Sequence, residues 1–331
     1  MTSSRRTLLS PALLAVAAFC LSACGGAPES EQSAPAGSAD YPVRATSCGF
    51  TSTVPAAPER AVTMNQGATE VVLALGLEDR LAGTAYLDDS VPAKWQKAYD
   101  SVKVLSKEYP DHESLLAARP DFVYASYVSA FDPEVAGSPA ELAKLDIGSY
   151  NSPLGCGDDD LPAVSFDTVW DEIETVARVF GVPERADAIK AEQEKALATL
   201  AKQGAGDGLD VFWFDSGDKT PLAGAGEGGP QLILYAVGAT NLFSDLKGGW
   251  ADVSWERVVK ADPDVIVLGD ASWSSADDKI ALLQKDPALK KLTAVREKRF
   301  VVLPYSETTP GVRLADGARA VADGLDALDL R

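Results

Sequence analysis

Short apolar runs alternate along this chain with stretches in which apolar residues recur every three or four positions. In the first half, runs at 61–64, 81–85, 122–125 and 147–150 have the length of buried strands. Between the first two runs, a turn at Asn65-Gln66-Gly67 precedes apolar residues on helical spacing: Val71, Val72, Leu75 and Leu77. Strands that alternate with helices predict a parallel sheet covered on both faces.

The second half follows the same plan. Runs at 210–214, 265–268 and 300–303 predict strands, and helices are predicted at 230–237 and at about 313–328. Proline at the first turn of the earlier helix suits its start. The pattern therefore indicates two α/β lobes, which we place at 45–165 and 204–331.

The segment 166–203 lies between these lobes and has a different pattern. Apolar residues on helical spacing predict a helix at 166–180, and Gly181-Val182-Pro183 ends it. A second helix is predicted from about residue 183 to residue 201. Nineteen residues of helix span roughly 30 Å, enough to bridge two lobes, and a helical connection is stiff.

One sequence motif, a Glu followed seven residues later by Pro-Asp, occurs in both lobes. Glu113 is followed seven residues later by Pro-Asp and an apolar run, and Glu256 is followed by the same pair at the same distance. Each copy predicts a helix that begins near the Glu, ends at Pro-Asp and leads into a buried strand. The repeat supports two similar lobes.

The first residues have the pattern of an export signal: Arg5 and Arg6 precede an apolar stretch at 8–21. The stretch ends in Leu-Ser-Ala-Cys, which resembles a bacterial lipobox. We therefore predict a signal peptide at 1–23 and lipid modification of Cys24, with a plain signal peptide or a membrane anchor as the alternatives. Residues 24–44 are rich in Gly, Ala, Ser and Pro and predict a flexible linker. The predicted location is the extracytoplasmic face of the cell membrane.

Cysteine usage fits an exported protein. The chain has four Cys, of which one leaves with the signal and one is the lipid site. Cys48 and Cys156 remain, and a pair of cysteines in an exported chain favours a disulfide. Two free or buried thiols are the alternative.

Composition narrows the class of partner. The 331 residues are 46% hydrophobic, which is typical of a globular protein with room for two cores. With 49 acidic and 30 basic residues, the net charge is −19, which argues against nucleic acid because phosphate binding needs a basic face. The same balance favours a neutral or cationic ligand over an anionic one.

Several short motifs carry a family resemblance, weak singly and strong in their order: Pro58-Glu59-Arg60-Ala61-Val62, Gly67-Ala68-Thr69-Glu70, Ala74-Leu75-Gly76-Leu77, Ala118-Arg119-Pro120-Asp121, Val253-Ser254-Trp255-Glu256 and Pro263-Asp264-Val265. The chain resembles the substrate-binding lipoproteins of ABC importers, in the group that handles ferric siderophores and cobalamin. The resemblance implies an α/β fold of two Rossmann-like lobes with central parallel sheets, joined by a long interlobe helix. It also implies a monomer that works with a permease dimer and its ATPase.

In that family, one surface Glu on each lobe forms salt bridges with Arg residues of the two permease subunits. Glu113 and Glu256 occupy the matching positions. Such charges at the rim of an interface set register and association rate. The alternative is that the helix macrodipole alone favours a Glu near each helix start.

The ligand is expected at the carboxyl ends of the strands, between the lobes. The resemblance implies a ferric siderophore or similar chelate, with cobalamin, haem or another cofactor-like solute as alternatives and no catalytic cofactor. Aromatic and polar residues suit such bulky, partly apolar ligands. The candidates from the predicted strand ends and loops are Asn65, Gln66, Tyr86, Tyr127, Trp213, Phe214, Trp273, Tyr305 and Arg313.

Two other classes of protein fit the sequence poorly. A site for naked zinc or manganese uses several His residues, and the chain has one, His112. An exported enzyme is the remaining alternative, but the sequence has neither a G-x-S-x-G nucleophile elbow nor a P-loop. We therefore predict a binding protein without a metal site or a catalytic residue.

Overall fold

The structure is a computed structural model that describes residues 40–157 and 165–330. The predicted signal peptide, the lipid site at Cys24 and the linker as far as residue 39 lie outside the described residues. Within those two ranges, no helix combines the length and the apolar character needed to cross a membrane.

The strands are β1 (Val43–Ser47), β2 (Phe50–Val54), β3 (Ala61–Met64), β4 (Leu81–Ala85), β5 (Val104–Ser106), β6 (Phe122–Ala125), β7 (Gly148–Asn151), β8 (Asp210–Ser216), β9 (Leu222–Gly224), β10 (Thr240–Asn241), β11 (Trp250–Asp252), β12 (Val265–Asp270) and β13 (Phe300–Pro304). The helices are α1 (Gln66–Ala74), α2 (Ala93–Tyr99), α3 (His112–Ala117), α4 (Pro139–Lys144), α5 (Phe166–Val179), α6 (Pro183–Gln203), α7 (Gly229–Ala236), α8 (Trp255–Ala261), α9 (Ala276–Lys285), α10 (Thr293–Arg296) and α11 (Leu314–Ala327). β1 begins inside the segment 24–44 that the sequence assigns to the linker.

The N-terminal lobe (β1–β7) is built on a parallel sheet with the strand order β5-β4-β3-β6-β7. Every residue of β3 and β6 is buried, and alternate side chains enter two different hydrophobic clusters. Both faces of this sheet are therefore covered, as the continuous apolar runs predict. A hairpin of β1 and β2 packs beside β7, where Ser149 N donates to Ser52 Oγ at 3.0 Å.

The C-terminal lobe (β8–β13) has the strand order β11-β9-β8-β12-β13, with β10 also paired to β8. The strands β8, β12 and β13 are parallel, as predicted. The short strands β9 and β11 pair antiparallel and make this sheet mixed. They are three residues long, too short to leave a periodic pattern in the sequence.

The predicted disulfide is confirmed. Cys48 lies in the turn between β1 and β2, and Cys156 follows β7; their Cα atoms are 5.3 Å apart. The bond links residues 108 positions apart in sequence and ties the hairpin to the end of the N-terminal lobe.

The predicted interlobe helix is α6, which has 21 residues and a length of about 30 Å. Proline occupies its first turn, and Gly204 ends it in the left-handed conformation with φ 58°. Arg185 near its start donates to the carbonyl of Leu75 at 2.5 Å, and Gln193 in its middle donates to the carbonyl of Val312 at 2.7 Å. The helix thus binds the backbone of both lobes.

The repeated motif folds in the same way in both lobes. In the first copy α3 leads into β6, and in the second α8 leads into β12. The Asp that follows Pro in each copy accepts a backbone hydrogen bond at the start of the central strand. Asp121 accepts from Glu59 N at 2.8 Å just before β3, and Asp264 accepts from Asp210 N at 2.9 Å in β8. The Asp of the repeated motif therefore has a structural role, because its hydrogen bond links two adjacent strands.

Candidate functional site

Loops at the carboxyl ends of the strands in one lobe contact the corresponding loops of the other lobe. After β12, Trp273 Nε1 donates to Asp88 Oδ1 of the loop after β4 at 3.3 Å. After β13, Ser306 Oγ donates to Asp89 Oδ2 at 3.0 Å. These contacts define an interlobe cleft at the edge where α/β sheets bind their ligands.

A cavity of about 740 Å³ opens beside these contacts. It is lined by residues 87–90 from the N-terminal lobe and by residues from the ends of β12 and β13, including Asp270, Ser272 and Pro304. Its volume falls in the range of pockets that hold cofactor-sized molecules.

Five aromatic residues come from the loops at the same strand ends and form what we call the aromatic cluster: Tyr86, Tyr109, Tyr127, Trp273 and Tyr305. The rings of Tyr86 and Tyr109 meet edge to face with centroids 4.6 Å apart. The rings of Trp273 and Tyr305 meet in the same way at 5.1 Å. Trp273 is 52% exposed. The cluster offers flat apolar surface with polar tips.

Backbone strain accompanies two of the predicted site residues. Asn65 directly follows β3 with φ 73°, and Tyr86 directly follows β4 with φ 57°. Positive φ is uncommon for any residue with a side chain and is an outlier for a bulky one. Asn65 Nδ2 also donates to the Tyr109 hydroxyl at 2.9 Å, so this turn is tied into the aromatic cluster. Such strain concentrates at functional sites.

The cleft is electrostatically negative. Burial raises the pKa of Asp88 to about 6; the hydrogen bond from Trp273 opposes this rise, and the charges of Asp89 and Asp215 add to it. Burial also raises the pKa of Asp215, although Lys279 lowers it in part. The pKa of the Tyr305 hydroxyl is raised by burial and then by Asp215 and Asp88, so this phenol stays protonated. The site therefore combines carboxylates with neutral hydroxyl groups.

Arg313, one of the predicted ligand-binding candidates, is an interlobe ion-pair residue. Its guanidinium lies 3.5 Å from Glu70 Oε1 of the N-terminal lobe and contacts Glu307 of its own lobe. It also donates to Ser306 Oγ at 2.7 Å. Burial raises the pKa of Glu70 to about 7, and the Arg313 charge opposes that rise. A cation surrounded by protein carboxylates is not available to a ligand.

Three other predicted ligand-binding residues are buried in the structure. Trp213 is fully buried in the larger hydrophobic cluster, and Phe214 is buried in the cluster on the opposite face of the sheet. Gln66 is fully buried as well. Its amide nitrogen donates to Glu70 at 2.7 Å and its oxygen accepts from Asp89 N at 3.2 Å, so it supports the loop after β4. The predicted residues that do meet at the cleft are Asn65, Tyr86, Tyr127, Trp273 and Tyr305.

The two predicted docking residues occupy equivalent places. Glu113 is the second residue of α3 and Glu256 is the second residue of α8, and both are exposed. Each helix is capped by a side chain, Asp111 or Ser254, which accepts a backbone hydrogen bond of the first turn. Neither Glu forms an ion pair within the described part of the chain. Both carboxylates remain free to meet a partner.

Sequence reasoning missed several polar residues of the cleft, namely Asp88, Asp89, Tyr109 and Asp215. All four lie at or just after the carboxyl end of a strand, at β4, β5 or β8. That position was the available signal, because ligands bind outside the carboxyl ends of such strands. Across residues 40–157 and 165–330, no group of three or more His, Cys, Asp or Glu side chains is arranged to hold a metal ion.

Comparison with known proteins places this geometry in a wider context. A family model described as periplasmic binding protein matches residues 62–306. The chain is 25% identical over 325 residues to the ABC transporter substrate-binding lipoprotein YvrC of Bacillus subtilis, covering 95% of each chain. It is 24% identical over 234 residues to the vitamin B12-binding protein of Vibrio cholerae, covering 69% of this chain and 79% of the relative.

A solved structure is similar over most of the described residues. The crystal structure of a periplasmic binding protein from Veillonella parvula superposes with a TM-score of 0.75 at 30% sequence identity. The match covers 85% of this chain and 96% of that one.

Proposed function

This chain belongs to the periplasmic binding protein family, and we propose that it is the solute-binding component of an ABC importer. Lipid attached at Cys24 would hold it at the extracytoplasmic face of the membrane, with the chain between Cys24 and β1 as the tether. The relative YvrC, which matches along almost the whole chain, is named as such a lipoprotein. The protein binds and presents a solute rather than transforming it.

The ligand we propose is a ferric siderophore or a similar bulky metal chelate. The observation that carries this proposal is the interlobe cleft, which has a cavity of about 740 Å³ and the aromatic cluster at the same strand ends. Aromatic faces bind the apolar shell of a chelate, and hydroxyl and carboxylate groups bind its polar edge. The family resemblance in the sequence points to the same ligand class.

Cobalamin is the second candidate. The vitamin B12-binding protein of Vibrio cholerae is similar over 69% of this chain. A corrinoid is also a bulky metal complex with an apolar face and a polar edge, so the cleft suits both classes.

Little lobe movement is expected during capture and release. The backbone of α1 approaches the loop before α11 so closely that a Cβ on Gly67 would lie 1.7 Å from the carbonyl oxygen of Pro310. Glu70 and Arg313 pair beside this contact, and α6 binds both lobes. These contacts restrict motion to small adjustments around the cleft.

Calorimetric titration of the lipid-modified chain tests the proposed ligand class. The panel is ferric hydroxamates, ferric catecholates, ferric citrate, cobalamin, haem and free divalent metals. We expect tight binding of one chelate or corrinoid and no binding of the free metals. Tyr305→Ala should weaken that binding at least tenfold, whereas Tyr235→Ala, on a residue 76% exposed in α7, should not. Absence of binding across the panel would overturn the ligand class.

Transport in cells tests the docking role that we propose for Glu113 and Glu256. Replacing both by Lys should abolish uptake of the ligand and leave its affinity within about twofold, because both residues lie outside the cleft. The matched control replaces Glu174 and Glu194, which are exposed on α5 and α6, by Lys. Equal uptake by the two double variants would show that the charges at α3 and α8 have no docking role.

A further inference from the structure

Carboxylates from three strand ends surround the interlobe cleft. Asp88 and Asp89 follow β4, Asp215 lies near the end of β8, and Asp270 ends β12. Three of them, Asp88, Asp89 and Asp270, line the cavity, and Asp215 is close enough to Asp88 for their charges to interact. The acidic groups therefore belong to both lobes and to one site.

Cations near this site are already committed to protein partners. The Lys279 ammonium donates to the carbonyl of Gly269 and interacts with Asp215 and Asp270. Lys279 is 4% exposed, so its charge cannot reach out to a ligand. Arg313 is held between Glu70 and Glu307, as described above. The charge left for a ligand in the described part of the cleft is negative.

One buried carboxylate oxygen in the described part of the cleft has no hydrogen-bond partner. Asp215 is 2% exposed, and its Oδ1 accepts no hydrogen bond, while Oδ2 accepts from Ser216. The Tyr127 hydroxyl of the opposite lobe lies beside the Tyr305 hydroxyl and forms a hydrogen bond with it. The charge of Asp215 acts on Tyr127, Tyr305 and Asp88, so its carboxylate faces the cleft rather than the core. A buried acceptor without a donor is costly, and a donor supplied by the ligand would remove that cost.

We propose that this cleft selects chelates by charge: it takes neutral or cationic complexes that present a hydrogen-bond donor to Asp215 and excludes anionic ones. This inference rests on the proposed function and narrows its ligand class. Ferric hydroxamates and corrinoids without free carboxylates satisfy the requirement. Ferric tris-catecholates, ferric citrate and haem, with its carboxylates, do not. Like charges in a partly buried site repel, so each unit of negative charge on the ligand should weaken binding about tenfold.

A matched ligand series separates charge from shape. The first series is one linear ferric trihydroxamate with its terminal amine free, acetylated or succinylated, so the complex is cationic, neutral or anionic. The second is aquocobalamin, cyanocobalamin and a monocarboxylate of cyanocobalamin, with the same order of charge. Affinities of the lipid-modified chain in detergent are measured by calorimetry at low and high salt. We expect the anionic member of the series that binds to be at least tenfold weaker than the neutral one, with the gap smaller at high salt.

Two variants test whether the named carboxylates cause the selection. Asp215→Asn and Asp88→Asn should each bring the affinities of the anionic and neutral members closer, and Asp277→Asn, exposed on α9, should not. Equal or tighter binding of the anionic member by the unmodified protein would overturn the inference and leave the proposed function standing. Absence of binding in both series, together with binding of a ferric catecholate, ferric citrate or haem, would overturn the inference alone. Absence of binding to all of these ligands would overturn both the inference and the proposed function.

Discussion

Glu172 is a carboxyl group buried without a cation, and its replacement by Gln should stabilise the protein. It lies in α5 with no exposed surface. Its oxygens accept hydrogen bonds from the Tyr124 hydroxyl and from Ser152 Oγ, the latter at 2.7 Å. Burial raises the pKa of Glu172 from 4.5 to about 7, and the two hydrogen bonds limit that rise. The folded protein therefore binds this proton more tightly than the unfolded chain does.

The direction of the pH effect follows from this difference. Below pH 4.5 the Glu172 carboxyl group is protonated in both the folded and the unfolded state, so its ionisation does not change the free energy of unfolding. As the pH rises from 4.5 to about 7, the unfolded chain loses its proton first, so the free energy of unfolding falls and then levels off. Above pH 7 the free energy of unfolding is lower by about 3 kcal/mol than it is below pH 4.5, since each unit of pKa shift corresponds to ~1.4 kcal/mol. Gln keeps the shape and stays neutral, so Glu172→Gln should recover about 3 kcal/mol at pH 8 and change little near pH 4.5.

Urea denaturation between pH 4.5 and pH 8.5 measures this prediction through the midpoint and the slope of unfolding. The control is Glu174→Gln on the same helix, where the side chain is 55% exposed and pairs with Arg178 at 3.9 Å. An exposed ion pair of this kind contributes at most about 1 kcal/mol to the free energy of unfolding. The control should therefore show little gain in stability as the pH rises. A Glu172→Gln protein less stable than the unmodified one at pH 8 would refute the reasoning, because the carboxylate would then be stabilising in its charged form.

Three further predictions concern contacts that join distant parts of the chain. Arg313→Met should lower the free energy of unfolding by about 3 kcal/mol in urea denaturation, because the buried Glu70 and the partly buried Glu307 lose their cation; an unchanged midpoint would contradict this. Replacing Cys48 and Cys156 by Ser should cost about 4–5 kcal/mol in the same assay, since the bond closes a long loop of the unfolded chain. Gly67→Ala should cost about 3 kcal/mol by displacing the facing loop, whereas Gly157→Ala, where a Cβ meets nothing within 4 Å, should be neutral.

Several features could be predicted because they depend on neighbours along the chain. Apolar runs separated by helical spacing predicted β3, β6, β8, β12 and the long helix α6, since strand and helix periodicities are local. The repeated motif of Glu and Pro-Asp predicted two similar lobes, and in the structure its two copies lie in matching helix-to-strand connections. The disulfide was predicted from the two cysteines that lie outside the predicted signal peptide and lipid site.

Other features depended on where neighbouring strands end. Trp213 and Asp215 are two positions apart in β8, so both side chains point to the same face of the sheet. β8 pairs with β12 only as far as Phe214, which lies beside Leu268. Trp213 therefore stays within the packed sheet and enters the core, whereas Asp215 lies past the last pair and faces the cleft. Nothing in the local sequence marks that boundary.

The sequence by itself determined that this protein has two α/β lobes joined by a helix, and it predicted that a ligand would bind at the carboxyl ends of their strands. Only the tertiary structure decided which side chains meet at that edge. It paired Arg313 with Glu70, 243 positions away (313 − 70), and removed that cation from the ligand. It also brought Asp88 and Asp215 together from opposite lobes. The physical reason is that charge pairing and burial act between residues distant in sequence, whereas periodicity and turn chemistry act between neighbours.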